Sequence, residues 1–484
     1  MRVLSPAARR PLGAAALVLA LGACGAACRA QGPAALPTAL PGDVHATAAT
    51  LYREALASTR AYGIVRSLTV EVGPRPAGSK AYDAAVAWGL RKMKELGFSN
   101  VHTEPVTVPH WVRGDESGEI VAPYPQPVQL TALGGSAGTP AAGIEAEVIE
   151  VPSLEAVDKL DPARVKGKIV FYNVRMERTK DGSGYGQAVR VRGGGASAAA
   201  RLGAAAVIIR SIGTDHNRTP HTGGIRYQDG VEKIPAAALS IPDADLLADE
   251  IASGKPVVFR LKLGARYLPD VQTANVVGEI PGREKPGEIV LLGAHLDSWD
   301  LGTGAIDDAA GCGIMMETAR RIAQLPRKPR RTLRVVLFAN EEFGVSGGNA
   351  YAAAHREELA RHALAGESDL GSGRVWRISS RVDPAKLPVV AELAGLLGVE
   401  PGGNETEGET DLEPMAESRV PMISLSQDAT TYFDIHHTAN DTLDKIDPRD
   451  LDQNVAAWTA VAYAVADMPG DLGRAPEGSG RRRH

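Results

Sequence analysis

From about residue 271 to 468 the chain alternates short apolar runs with helix-like segments, and most of the apolar runs lead into acids or histidine. Strands alternating with helices build a sheet covered on both faces, which leaves few architectures open. The run over 288–296 leads into His295-Leu-Asp297, and Asp307-Asp308 opens a helix predicted over 308–325. The run over 332–339 leads into Glu341-Glu342, with a helix predicted over 349–363. A short apolar piece, 363–365, precedes Glu367-Ser-Asp369, and His436-His437 follows Tyr432-Phe433. A strand over 422–425 and a helix over 448–468, begun by Asp447-Pro448, close the region. Open α/β sheets bind ligands at their strand ends, so the chemistry of this chain is expected there.

The upstream half reads differently. Helices are predicted over 43–66 and 80–96, the second from apolar residues at helical spacing before Gly97. A Gly/Pro loop spans 73–79, and 101–108 alternates like a strand. Between 115 and 268 come short β-like runs, at 146–151, 168–172, 205–210 and 257–263, with a Gly/Ala-rich stretch over 193–202. This reads as an inserted β-rich domain, 115–268, splitting a domain built from 43–114 and 269–468. The last residues, 469–484, read as a disordered tail. His216 and His221 lie in a polar stretch of the insertion and read as surface residues, with a loop that could reach the substrate as the alternative.

Arg2, Arg9 and Arg10 precede an apolar run over 12–23, which suits a signal peptide within 1–30. Leu21-Gly-Ala-Cys24 resembles a bacterial lipobox, which would make Cys24 a lipid anchor; cleavage near Ala30 is the alternative. Either way the protein is exported: periplasmic, membrane-anchored or secreted. Cys24, Cys28 and Cys312 cannot make a disulfide framework, and Cys312 is expected as a buried core thiol. The net charge is −5, and −11 without the first 30 and last 17 residues. An acidic folded part argues against nucleic acid as a partner.

Counted as metal ligands, the strand-end residues offer two imidazoles and three carboxylates, a set that suits zinc better than calcium. One carboxylate can bridge two ions about 3.5–4 Å apart. An uncoordinated carboxylate beside them can take a proton from water. His295-Leu-Asp297, Asp307-Asp308, Glu341-Glu342, Glu367-Ser-Asp369 and His437-Thr-Ala-Asn-Asp441 resemble the signature of the co-catalytic two-zinc exopeptidases, a family of secreted aminopeptidases and glutamate carboxypeptidases. The strings 293–300 and 304–308 resemble the glutamate carboxypeptidase branch of that family, and Gly73-Pro-Arg75 resembles an early element of the same family.

The resemblance implies a three-layer α/β zinc-exopeptidase fold with a mixed central sheet, plus a protease-associated domain in the β-rich insertion. It implies two zinc ions per chain, held by His295, Asp307, Glu342, Asp369 and His437. Asp307 bridges, and His295 and Asp369 hold different ions. It implies Glu341 as general base, Asp297 as the carboxylate orienting His295, and a cis peptide between Asp307 and Asp308. His436 stands where related carboxypeptidases place an oxyanion donor, with packing beside His437 as the alternative. Short peptides are the implied substrate and a homodimer the implied assembly. No motif marks whether the free amine or the free carboxylate of the peptide is recognised. Three rival readings stand beside this one. Gly344-Val-Ser346-Gly-Gly348 fits a serine-hydrolase elbow, although Glu341 and Glu342 occupy the strand end where its serine belongs. The second is an inactive binding protein on the same fold, and the third is single-zinc cyclase chemistry.

Overall fold

A computed structural model describes residues 39–476. The leader with Cys24 and Cys28, and the chain from 477 on, lie outside the described residues. Strands Arg331–Phe338, Lys285–His295, His362–Glu367 and Met422–Gln427 lie side by side in that order and run parallel. Strand Lys285–His295 shows why the sheet is covered twice. Ile289 and Leu291 enter one apolar cluster while Val290, Leu292 and Ala294 enter another, the period-two alternation of a strand buried on both faces. Helices Ala310–Ala323 and Pro448–Asp467 cover one face, and helix Ser346–Ala354 supplies Tyr351 to the other. Each leucine or isoleucine buried this way contributes about 1.5–3 kcal/mol. Antiparallel strands finish both edges, with Ser99–Val112 and Arg266–Ile280 on one side and Val375–Arg381 on the other. The fold is the expected three-layer α/β architecture with a mixed sheet.

A second sheet of eight strands forms among the described residues from 116 to 263. Its centre, from Ile144–Val151 through Ile169–Tyr172 and Ala206–Arg210 to Ala236–Leu239, is parallel. Helix Arg190–Arg201 crosses between two of these strands and packs on them through Ala196, Ala198 and Ala199. The Gly/Ala-rich stretch is therefore a close-packing helix.

Several predicted boundaries move. The helix expected over 349–363 ends at Ala354, and His362–Glu367 is a central strand. Its small Ala and Gly residues are buried on both faces and carry no helical period. The helix expected over 43–66 breaks into Gly42–Ala57 and Ala61–Glu71, where Thr59 Oγ1 accepts a bond from Ala61 N–H. Strand Val375–Arg381 and helix Leu387–Leu397 were not anticipated. The tail does not begin at 469, because Leu472 and Ala475 are fully buried. The Arg331 guanidinium donates to the carbonyls of Val465, Met468 and Gly470, and Asp383 N–H donates to that of Leu472, so this segment belongs to the packed domain. No helix among the described residues is long and apolar enough to cross a membrane.

Candidate metal centre

The parallel strands present their C-terminal ends along one edge, and the polar residues of the sequence converge there. His295 ends its strand fully buried. Its Nε2 lies 3.0 Å from Asp307 Oδ1 and 3.2 Å from Asp369 Oδ1. His437 Nε2 lies 3.2 Å from Asp307 Oδ2 and 2.9 Å from Glu342 Oε2. Asp307 thus turns one oxygen toward each imidazole. Donor atoms around one tetrahedral ion at about 2.0–2.1 Å stand roughly 3.3 Å apart, so both groups are spaced to hold a first-row divalent cation. Glu342 Oε1 is buried without a partner.

Local structure holds each of these groups in place. The Arg75 guanidinium, fully buried, donates to the carbonyls of Leu296, Thr303 and Gly304 and so ties the His295 turn to the approach of Asp307. Asp441 accepts from the N–H groups of Ile306 and Asp307 at 2.6 and 3.2 Å. The peptide bond between Asp307 and Asp308 is cis. Asp308 Oδ2 accepts from His295 N–H and Oδ1 from Gly311 N–H, so its oxygens are committed to backbone. Asp297 Oδ1 lies 3.7 Å from His295 Nδ1 but accepts a bond from Glu341 N–H at 3.2 Å. This carboxylate therefore fixes the Glu341-Glu342 turn as much as the imidazole. His437 sits at φ +59°, a left-handed conformation costing a non-glycine residue roughly 1–2 kcal/mol. Thr222 N–H, from the second-sheet region, donates to the His437 carbonyl at 2.9 Å.

The expected separation of His295 from Asp369 does not occur. Their strands are neighbours in the sheet, so their ends meet, while Glu342 follows the strand on the other flank and meets His437. Ser346 Oγ accepts from Asn340 Nδ2 at 2.8 Å, and no histidine bonds it among the described residues. Cys312 is buried, as expected, and its thiol donates to the His295 carbonyl.

The second-sheet region forms the opposite wall of a cavity of about 760 Å³, which Glu341, Asp369, Tyr185 and Arg192 all line. His216 is exposed, but His221 is 2 % exposed, with Nε2 3.4 Å from His436 Nδ1. His221 Nδ1 is buried without a partner. An unpaired buried N–H costs more than an unpaired lone pair on a ring with two choices, so His221 carries its proton on Nε2 and donates to His436. His436 then carries its own proton on Nε2. Tyr432 stacks on the His436 ring at 4.5 Å and Tyr185 meets its edge at 5.2 Å.

Burial dominates the electrostatics. It pushes the carboxyls of Glu341, Asp369, Glu367 and Asp411 up; repulsion from Asp369 adds to it at the other three, and repulsion from Asp307 adds to it at Asp369. Burial and Asp307 push Glu342 up to about 7. Asp307 is the exception: against the effect of burial, bonds from His295 and His437 hold it well below the carboxylate range. Burial, with His436 and His437 adding to it, pushes His221 well down, and burial with His437 does the same to His436, so both rings are neutral. So much buried negative charge is what a bound cation would relieve.

Residues 275–462 match the model of peptidase family M28. Over 433 residues the chain is 37 % identical to carboxypeptidase Q of Bos taurus, covering 88 % of this chain and 89 % of that protein. The chain belongs to peptidase family M28. Human carboxypeptidase Q is 36 % identical over 430 residues, with the same two coverages. A solved M28 peptidase precursor from Shewanella amazonensis is 47 % identical with a TM-score of 0.88, covering 90 % of this chain and 99 % of that one. A zinc aminopeptidase of Bacillus subtilis, 21 % identical with a TM-score of 0.63 over 87 % of this chain and 98 % of that one, shares the fold. In this M28 chain, Arg75 was foreshadowed by its Gly-Pro-Arg motif. Tyr185, Arg192 and His221 had no such signal, because only the packing of the second sheet brings them to the site.

Proposed function

We propose that the chain is a zinc-dependent exopeptidase of short peptides with two zinc ions per chain. His295 and Asp369 would hold one ion, His437 and Glu342 the other, and Asp307 would serve both. The observation that carries this reading is the division of Asp307, Oδ1 toward one imidazole and Oδ2 toward the other. The two-imidazole, three-carboxylate donor set suits zinc. Bound zinc supplies Lewis-acid polarisation of the scissile carbonyl and acidifies water.

The remaining steps belong to the protein. Glu341, at the cavity and outside both groups, accepts the proton of the attacking water and returns it to the leaving amine. Asp297 holds the turn that carries Glu341. His436, protonated on Nε2 through its contact with His221, donates to the oxyanion. Residues 115–268 are read as a protease-associated domain that walls the site, which His221 and Thr222 support. The leader supports export, with Cys24 as a lipid anchor or cleavage near Ala30.

Chelation should abolish hydrolysis of small peptides, zinc should restore it, and a serine-directed phosphonate should leave it intact. Full activity in a chain shown by elemental analysis to be free of metal would overturn the proposal. His436→Ala should lower kcat by about 10²–10³-fold, the loss typical of one oxyanion donor, with little change in KM or zinc content. A near-normal kcat would return His436 to simple packing.

A further inference from the structure

The short turn that carries His436 and His437 is held from outside. It begins with Tyr432–Asp434, a single turn of 3₁₀ helix, and reaches His437 through further turns. Its own bonds are few: the N–H groups of Ile435 and His436 both donate to the Tyr432 carbonyl. A segment this short does not fix its own geometry, because a few local bonds do not offset the cost of ordering its residues.

Two loops of the second-sheet region close on its first half. Strands Ile169–Tyr172 and Ala206–Arg210 are parallel neighbours, so the loops that follow them leave the same edge. One loop brings Arg178 and the other Thr214 to the carboxylate of Asp434. Thr214 donates to Asp434 Oδ1 twice, from N–H at 2.6 Å and from Oγ1 at 2.8 Å, and the Arg178 guanidinium donates to Oδ2. The Asp434 side chain is 10 % exposed and that of Arg178 42 %. Both loops approach closely through glycine. A Cβ at Gly213 would stand 3.2 Å from the Phe433 carbonyl oxygen, and one at Gly182 would stand 2.9 Å from the Phe433 ring. Tyr185, just past Gly182, stacks on that ring at 4.2 Å.

We propose that Asp434 is a positioning residue: it clamps the start of the turn to the second-sheet region and thereby sets where the His436 and His437 rings stand. This step rests on the exopeptidase reading above, in which His437 holds an ion and His436 faces the oxyanion. Of the two arms, the one from Thr214 carries the effect. Its bonds end on a charged, nearly buried oxygen, and charge-assisted bonds are the stronger kind. The Arg178 arm is an exposed ion pair, which contributes little in water. Thr222 N–H on the His437 carbonyl fixes the far end of the same turn, so loss of the Asp434 carboxylate frees one end only.

Asp434→Ala, Asp434→Asn and Arg178→Ala are compared with wild type as full chains. A group that orients a metal ligand from behind governs about 10–100-fold in metal affinity or activity. Asp434→Ala should lose about that factor in kcat with little change in KM, and should give up one zinc ion at a correspondingly lower chelator concentration than wild type. Asp434→Asn keeps an oxygen for Thr214 and should recover most of both. Arg178→Ala should behave as wild type. A fold that is merely loosened weakens both ions alike, so equal weakening in Asp434→Ala overturns the proposal, as does a near-normal kcat with normal zinc affinity. A loss in Arg178→Ala as large as that in Asp434→Ala overturns the Thr214 arm. Hydrogen exchange reads the clamp without metal or turnover: in the metal-free chain the amides of residues 432–438 should exchange faster in Asp434→Ala and not in Asp434→Asn. Should wild type neither bind zinc nor cleave peptides while this difference is found, the exopeptidase reading falls and the clamp stands. Equal exchange in wild type and Asp434→Ala overturns the clamp.

Discussion

Glu341→Gln should bind zinc as wild type does and lose about 10²–10⁴-fold in kcat, the range that general acid–base catalysis supplies. The amide copies the shape of the carboxylate but cannot take a proton. Glu341 stands outside both ligand groups, and the Asp297 bond that fixes its turn goes to its backbone N–H, which the substitution keeps. Zinc content by elemental analysis and kcat from initial rates separate the two roles. Lost zinc would make Glu341 a ligand, and retained turnover at full zinc loading would hand the proton to another base.

Asp307→Asn should empty the centre. One amide oxygen cannot serve two ions, and the replacement brings an N–H₂ close to one of two imidazoles that each lie within 3.2 Å of the native carboxylate. With Asp307 bridging as proposed, zinc content should fall from two ions per chain to fewer than one. Because one ion supplies several kcal/mol of charge stabilisation, kcat/KM should drop by at least about 10³-fold. A second readout needs no turnover. Zinc at a thousand times its dissociation constant stabilises the wild-type fold by about 4 kcal/mol, so the wild-type melting temperature should rise with zinc and that of Asp307→Asn should not. A variant that keeps two ions and the same thermal response would remove Asp307 from the bridge.

His295, Glu342 and Asp369 were legible because each closely follows an apolar run that reads as a strand, while Asp307 and His437 stand at a helix start and in a turn. Parallel strands put those ends on one edge, where ligands are expected; the full list of five came from the resemblance of the motifs. How the ligands are grouped was not legible. Placing His295 with Asp369 requires the lateral order of the strands, and that order is set by packing between segments far apart in the chain. The helix boundary at Ala354 was misplaced for a related reason: a strand of small residues buried on both faces shows neither a helical nor an alternating pattern. His221 looked like a surface residue because its neighbours along the chain are polar. It is buried by Tyr185 of its own sheet region and by His436 and His437 of the other.

The bond from Thr222 N–H to the His437 carbonyl joins two main chains. No exchange of one ordinary side chain for another deletes it; within the standard set only proline at 222 removes the donor. The His437 loop is therefore tied to the wall above it by a bond that does not depend on the side chain at 222. A lineage could rewrite which peptides it accepts, one surface substitution at a time, without ever passing through an ancestor whose cleavage machinery had come loose.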